Sequence, residues 1–206
     1  MKTLLSIQAS LFGASGQSSQ LADRFISNWR RANPGGRVIV RDLAAQPVPH
    51  LTAERFQAFG TRAEERSPDQ QAVVDYSDSL IDELREADTI VFAVPLYNFS
   101  VPSTLRAYFD HIARAGVTFR YTASGPEGLL KNKRVYVFAT RGGVYSNSAQ
   151  DTQAPYLRQF LGFLGLVDVE FIYAEGLGLG GETREQSLSA ARANIDELLK
   201  AEAIAA

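Results

Sequence analysis

The ten residues Ser10-Leu-Phe-Gly-Ala-Ser-Gly-Gln-Ser-Ser19 carry hydroxyls, two glycines and an amide but no charge. If such a loop opens a helix, free backbone amides and the positive end of the helix dipole point into it, and Ser10, Ser15, Ser18 and Ser19 add hydroxyl donors. That chemistry suits a single phosphate. The stretch has no G-x-x-x-x-G-K-[ST], hence no lysine for a β- or γ-phosphate, and no G-x-G-x-x-G, hence no fingerprint for a dinucleotide pyrophosphate. The plainer alternative is that Ser18 only caps the helix, and the loop by itself does not separate the two.

A second cluster is Pro95-Leu-Tyr-Asn-Phe99. Tyr97 and Phe99 offer apolar walls for a flat ring, while the backbone of residues 95–99 and the Asn98 amide can bond its polar edge. A third is Thr140-Arg141-Gly142-Gly143, where glycine lets main chain approach a ligand closely. Taken singly, Tyr97 and Phe99 can be core residues and Gly142-Gly143 a turn. Their value lies in converging on one edge of one sheet.

The elements that bring them together follow from the hydrophobic pattern. Thr89 to Val94 is an uncharged, non-alternating run and predicts a strand buried on both faces. Shorter runs at Thr3–Ala9, Val38–Arg41, Arg134–Ala139 and Val169–Ala174 predict four more strands. Between them lie helical patterns: one carrying Leu21, Phe25, Ile26 and Trp29 and closing at Asn33-Pro-Gly-Gly36, and one starting at Ser67-Pro68, running to about Glu86 and burying Val73, Tyr76, Leu80 and Leu84. A third begins at Pro102-Ser-Thr, with Leu105, Tyr108, Phe109, Ile112 and Ala113 in a stripe and Gly116 as its end. The fourth covers Tyr156–Leu164, and the last covers Thr183–Ala201 with Ile195, Leu198 and Leu199 inward. Residues 50–66 read as a charged, mobile stretch, and 117–130 as a long aromatic excursion of the kind that is often functional. Five strands alternating with helices predict a single α/β domain over residues 1–206, flavodoxin-like and doubly wound, with a five-stranded parallel sheet in the order 2-1-3-4-5. Ligands bind outside the carboxyl ends of such strands at the switch point, here between the first and third, which sets the Ser10 and Pro95 loops side by side.

Composition narrows the chemistry. The 206 residues are 45% apolar and 21% charged, ordinary for one globular domain. A net charge of -2 gives no footprint for nucleic acid, and Arg30-Arg31 reads as a solvated helix face. Without cysteine and with only His50 and His111, a thiol nucleophile and a histidine-rich metal site are excluded, so redox chemistry requires a cofactor. The start of the chain is too weakly apolar for a signal peptide and nothing approaches the roughly 18 apolar residues of a membrane span, which predicts a soluble cytoplasmic protein.

With these residues in view the chain resembles the FMN-dependent NADH azoreductases, within the flavodoxin-like NAD(P)H:quinone oxidoreductases. The resemblance runs over almost the whole chain. It rests on the Ser10–Ser18 loop, Arg41-Asp-Leu, Pro95-Leu-Tyr-Asn-Phe99, Ala113-Arg-Ala-Gly-Val-Thr-Phe119 with Tyr121, Gly125-Pro-Glu-Gly-Leu129, Thr140-Arg-Gly-Gly143 and Phe160-Leu-Gly-Phe163, in that order. It implies an FMN cofactor whose phosphate is held by Ser10, Gly16, Gln17 and Ser18, and whose ring meets Pro95, Leu96, Tyr97, Asn98 and Phe99 together with Thr140, Arg141, Gly142 and Gly143. It also implies a substrate site walled by Phe99, Tyr121, Tyr145 and Phe163, and a homodimer with two active sites at its interface. Gly16 stands where family members often have serine, Leu96 where methionine is common, and Tyr145 where histidine is frequent. Ser15 is the candidate to replace the hydroxyl missing at residue 16.

The expected reaction is ping-pong: NADH or NADPH gives a hydride to the flavin and leaves, and a quinone or azo compound takes its place. No side chain need be a nucleophile. Two rival readings remain at this level, a flavodoxin-type electron carrier, which calls for more negative charge, and a cofactor-free sheet protein. A general quinone reductase with little azo activity is a narrower variant of the first reading.

Overall fold

The computed structural model describes the backbone of residues 1–205 and the side chains of residues 1–198. In chain order the elements are β1 (Thr3–Gln8), α1 (Gln17–Ala32), β2 (Arg37–Asp42), α2 (Ala53–Gly60), α3 (Pro68–Glu86), β3 (Thr89–Pro95), α4 (Ser103–Ile112), β4 (Phe119–Thr122), β5 (Gly125–Gly128), β6 (Arg134–Thr140), α5 (Gln153–Leu164), β7 (Asp168–Ala174) and α6 (Gly181–Ala205). Five strands form a parallel sheet in the order β2-β1-β3-β6-β7, and β4 and β5 pair as a separate antiparallel hairpin. In chain numbering the order is therefore 2-1-3-6-7 rather than the predicted 2-1-3-4-5, because the hairpin strands intervene before β6.

The central strand is buried at every position. Its side chains alternate between two apolar clusters: Ile90, Phe92 and Val94 join the one covered by α3, α4 and α5, while Val91 and Ala93 join the one covered by α1 and α6. Each large side chain so buried contributes about 1.5–3 kcal/mol relative to exposure. The strand runs one residue beyond the predicted Val94, since Pro95 is buried and in register with Thr140; proline is tolerated at this end position because the strand stops there. Trp29 lies in the second cluster, 1% exposed, as its spacing predicts.

Ser67 starts α3 as its sequence predicts, with a full capping box to Gln70. The inward face is set differently from the prediction: Val74, Ser77, Leu80, Ile81 and Leu84 are buried, and Val73 is turned to a surface groove beside Pro47 and Pro49. Adjacent valines leave the choice of face to tertiary packing, and position 74 keeps the spacing to Ser77 and Ile81. Helix α4 closes at Ala113, before Gly116, whose φ of 78° serves the turn that follows. The charged stretch after residue 50 contains α2, capped by Thr52, which the hydrophobic pattern does not predict. Ile195 is buried in α6 and Leu198 packs on the same cluster; the side chain of Leu199 lies outside the described residues.

The hairpin is held by backbone contact. Leu130 N donates to Leu164 O at 2.9 Å, and a Cβ on Gly128 would lie 2.0 Å from Gly165 N. Among the described residues no helix is long and apolar enough to cross a membrane.

Candidate functional site

The sheet order changes direction between β1 and β3, so the loops leaving these strands are neighbours. Ala9 N donates to Ala93 O at 3.0 Å, which sets the Ser10 loop beside the Pro95 loop from its first residue. After one tight turn at Gly13–Ser15 the chain enters α1 with Gly16 as its N-cap, and no side chain caps it. Ser18 is therefore inside the first turn. Its hydroxyl is buried without a partner, and so is that of Ser19. A buried hydroxyl left unpaired costs about 1–3 kcal/mol unless something else accepts from it. Together with the first-turn amides, which have no intrahelical acceptor, it makes an anion cup. Helix capping by Ser18 is thereby excluded.

Ser10 is 2% exposed, and its Oγ accepts from Phe12 N, so its own proton is free to point into the cup. Gly16 presses on it closely enough that any side chain would collide with Ser10 Oγ. Ser15 does not supply the missing hydroxyl: its Oγ donates to Phe12 O at 2.7 Å on the exposed side of the turn.

The second loop is a tight two-residue turn. Tyr97 N donates to Ser100 O and Ser100 N to Tyr97 O, at 3.1 and 3.0 Å, and both central residues have positive φ, Asn98 at 50° and Phe99 at 61°. This is the backbone of a type I′ turn, in which glycine or asparagine is favoured and phenylalanine is strained. Strain of this sort persists where the surroundings over-determine it. The third loop runs alongside: Leu96 N donates to Thr140 O at 2.8 Å, and the carbonyls of Arg141, Gly142 and Gly143 accept from Leu177, Gly178 and Gly176. With those carbonyls committed on one side, the amides of Gly142 and Gly143 are left on the other. Nothing lies within 4 Å of where a Gly142 side chain would begin.

A cavity of about 170 Å³ joins all three loops, lined by Ser10, Gly16, Gln17 and Ser18, by Pro95, Leu96 and Tyr97, and by Thr140, Arg141 and Gly142. A larger one, about 800 Å³, shares Leu96 and Tyr97 and extends past Asn98 to His50, Arg106 and Tyr156. Phe99, Gly143 and Tyr145 line neither; Phe99 and Gly143 adjoin lining residues in the chain, and Tyr145 is tied to them through its contacts with these two. The rings of Phe99 and Tyr145 meet edge to face at 5.7 Å, and the Tyr145 phenol lies against Gly143, where a Cβ would be 2.7 Å from its hydroxyl. Gly143 thus makes room for Tyr145. Tyr121 and Phe163 are elsewhere: both pack on Phe119, at 5.6 and 4.3 Å between ring centres, on the hairpin side of α5.

Arg141 is not available to a ligand through its side chain. The guanidinium is completely buried, bonded to Asp151 through two nitrogens at 3.0 Å each, to Glu175 at 3.0 Å and to Gln153 at 3.2 Å, and lies 4.8 Å from the Tyr173 ring centre. Glu175 also accepts from Tyr145 N, Ser146 N and the Ser146 hydroxyl. Desolvation pushes its carboxyl up, but the Ser146 hydroxyl, the two amides and Arg141 outweigh that and hold it below the ordinary carboxylate range. The carboxylates and Gln153 belong to no motif that singles them out. The available signal is Arg141 itself: a cation placed at the buried end of a strand requires acidic partners nearby.

The donor set fits a phosphate joined to a flat polar ring. The cup supplies hydroxyls and amides at one end of the cavity; at the other, Pro95, Leu96 and Tyr97 supply an apolar flank, their amides being absent or already bonded, and the Thr140 loop supplies the Gly142 amide. Among the described residues no acidic or histidine cluster could hold a metal.

Comparison with known proteins gives the family. A family model described as having a flavodoxin-like fold matches residues 1–199. An FMN-dependent NADH:quinone oxidoreductase of Cellvibrio japonicus is 55% identical over 98% of this chain and 100% of its own. One from Burkholderia thailandensis is 52% identical over 95% of this chain and 98% of its own. Among solved structures, an FMN-dependent NADH-azoreductase from Bacillus anthracis in complex with FMN superposes with a TM-score of 0.88 at 26% identity, covering 98% of this chain and 100% of that one. The chain belongs to the flavodoxin-like family, in the group of the FMN-dependent NADH:quinone oxidoreductases and azoreductases.

Proposed function

We propose that this chain is a single-domain, FMN-dependent NADH:quinone oxidoreductase that also reduces azo compounds. The observation that carries the reading is the buried, unpartnered Ser18 hydroxyl at the start of α1, facing the same cavity as the Pro95 and Thr140 loops. Ser10, Gln17 and Ser18 would hold the phosphate, with the first-turn amides of α1. The backbone of residues 95–99 and the amides of Gly142 and Gly143 would meet the ring edge, and Leu96 and Tyr97 one flank of it. FMN, when bound, supplies a carrier that accepts a hydride from a nicotinamide and passes two electrons to an acceptor. The side chains position the reactants and exclude water; none is placed to act as a nucleophile. Phe99 and Tyr145 form an apolar corner in which a flat donor and a flat acceptor take turns, which gives ping-pong kinetics.

The exposed positions extend the reading to a homodimer. Tyr121 is 76% exposed and Phe99 57%, and Tyr121 and Phe163 line neither cavity of their own protomer. If both wall an acceptor site, that site belongs to a second copy. With a net charge of -2 the chain is nearly neutral, whereas an electron carrier that docks on protein partners calls for stronger negative charge, so a reductase acting on small acceptors is favoured over a carrier.

The experiment is anaerobic mixing of the FMN-loaded protein with NADH or NADPH, followed by a benzoquinone or an azo dye. Bleaching of the flavin band by a nicotinamide and its return with the acceptor is the expected result. Protein that fails to take up FMN, or whose flavin neither nicotinamide bleaches, removes the proposal. Sedimentation at micromolar concentration tests the dimer.

A further inference from the structure

Gln153 sits at the first position of α5, fully buried, and its side-chain amide is shared between two loops of the site. Nε2 donates to Pro95 O at 3.0 Å, and Oε1 accepts from Arg141 Nε at 3.2 Å. The orientation is fixed by chemistry, because a carbonyl can only accept and a guanidinium can only donate. The residue before it, Thr152, donates its hydroxyl to Phe99 O, the carbonyl of the strained turn residue. The residue before that, Asp151, takes two bonds from Arg141 and one from Ala154 N, which anchors the segment on the helix start.

Three consecutive side chains therefore bracket the ring-contacting loops. One end of the 95–99 loop is held through Pro95 and the other through Phe99, while the 140–143 loop is held through Arg141. None of the three has a free polar atom aimed at the cavity that would make it a ligand contact, and none lines it. We propose that Asp151-Thr152-Gln153 is the positioning element of the site: it fixes the separation and pitch of the two loops, and through them the affinity and redox potential of the bound flavin. The inference rests on the FMN reading given above. It accounts for two otherwise unrelated facts, the left-handed backbone at Asn98 and Phe99 and the burial of a full guanidinium at Arg141. Binding groups need to be held within about 0.5 Å of productive geometry, and misplacement by about 1 Å can cost a hundredfold.

The two substitutions that test it act on different bonds. Gln153→Glu keeps an acceptor toward Arg141 but puts a second acceptor against Pro95 O, forcing that loop away. Thr152→Val removes the bond to Phe99 O at an exposed position and keeps the side-chain shape; Thr152→Ser keeps the hydroxyl. Apo-protein is titrated with FMN by fluorescence quenching, and the flavin midpoint potential is measured on the loaded protein. The expected result is a Kd raised roughly tenfold or more in Gln153→Glu and in Thr152→Val, each with a shifted potential, and near wild-type values in Thr152→Ser. Wild-type Kd and potential in Thr152→Val would overturn the proposal even if Gln153→Glu failed to fold. Wild-type protein that does not bind FMN would overturn both this inference and the functional reading, whereas tight wild-type binding with unchanged variants overturns only the positioning role.

Discussion

Gly16 and Ser10 are packed so closely that a Cβ on residue 16 would lie 2.0 Å from Ser10 Oγ and 2.5 Å from Ser10 Cβ. The bareness of the N-cap is thus what allows the end of β1 to close on the start of α1 and leave the Ser10 hydroxyl in the cup. Gly16→Ala should displace Ser10, lower FMN affinity by about tenfold or more, and cost about 1–3 kcal/mol of apo-protein stability through overpacking. A calorimetric titration with FMN and a urea melt of the apo-protein measure the two effects separately.

Gly142 offers the converse case. Its φ is not in the left-handed region and no protein atom lies within 4 Å of where a Cβ would stand, so a larger residue has open space to enter. It does line the cavity. Gly142→Val should leave the apo-protein melting temperature within about 2 °C of wild type, as for an innocuous surface change, while abolishing uptake of FMN. Retention of a full flavin band in the purified variant would place the ring away from this loop.

At Phe99 the strain and the function pull in opposite directions. Glycine at this left-handed position relieves the backbone by roughly 1 kcal/mol but removes the ring that meets Tyr145. Phe99→Gly should therefore stabilise or leave unchanged the folded chain and raise KM for the acceptor. Replacing Asn98-Phe99 by Ala-Ala keeps the strain at residue 99, adds about 1 kcal/mol at residue 98, where asparagine is tolerated, and loses both side chains, so it should weaken FMN retention and turnover more than this modest cost to folding. Steady-state kinetics beside thermal melts distinguish the two.

The sheet and the cup are legible in the sequence because their signals are local. An unbroken apolar run gives β3, a Ser-Pro pair gives the start of α3, and a glycine-hydroxyl loop between strand and helix marks the place of the cup, although its pattern leaves helix capping by Ser18 open until Gly16 is seen to be the N-cap. Features that depend on partners far along the chain are not. Val73 and Val74 are equivalent in the pattern, and only packing on the sheet buries the second. The hairpin of β4 and β5 has no alternating apolar face, with Arg120 and Tyr121 exposed, and it owes its place to backbone contact with Gly165. Arg141 reads as a ligand contact because its neighbours Thr140, Gly142 and Gly143 are of that kind, yet its side chain is committed to Asp151 and Glu175, 10 and 34 residues away.

That backbone contact yields a prediction about the acceptor site. A Cβ on Gly128 would lie 2.0 Å from Gly165 N and 2.2 Å from Leu164 C, main-chain atoms that cannot rotate aside. Gly128→Ala should lift the β4–β5 hairpin from the end of α5 and disturb the Phe119 packing that orders Tyr121 and Phe163. The sheet and the cup are remote from this contact. FMN affinity should change by less than about twofold while kcat/KM for a quinone falls by about tenfold or more, if these rings wall the site of a second copy. Equal loss of both would show that the hairpin supports the flavin pocket directly.

His111 provides the clearest pH dependence. It is fully buried on α4 between Phe59 and Tyr76, its Nδ1 bonded to Ala107 O at 3.0 Å and its Nε2 without a partner. A carbonyl can accept only from a protonated nitrogen, so the neutral ring carries its hydrogen on Nδ1. Desolvation holds its pKa below the usual histidine range, outweighing the opposing bond to Ala107, while the Arg55 charge pushes it further down. The unfolded chain therefore binds a proton at a pH where the folded one does not. Stability contributed by the neutral ring is complete above the unfolded value of about 6.5, falls as the pH drops from there toward the depressed folded value, and then levels off. His111→Met roughly keeps the volume and carries no titratable group, so it should flatten the urea-melt stability profile between about pH 7 and pH 5 without altering FMN binding, since His111 lines neither cavity. A profile equally steep in the variant over that range would show that His111 is not its source; Glu175, whose depressed pKa withdraws its contribution only below the ordinary carboxylate range, acts at lower pH and leaves this window flat.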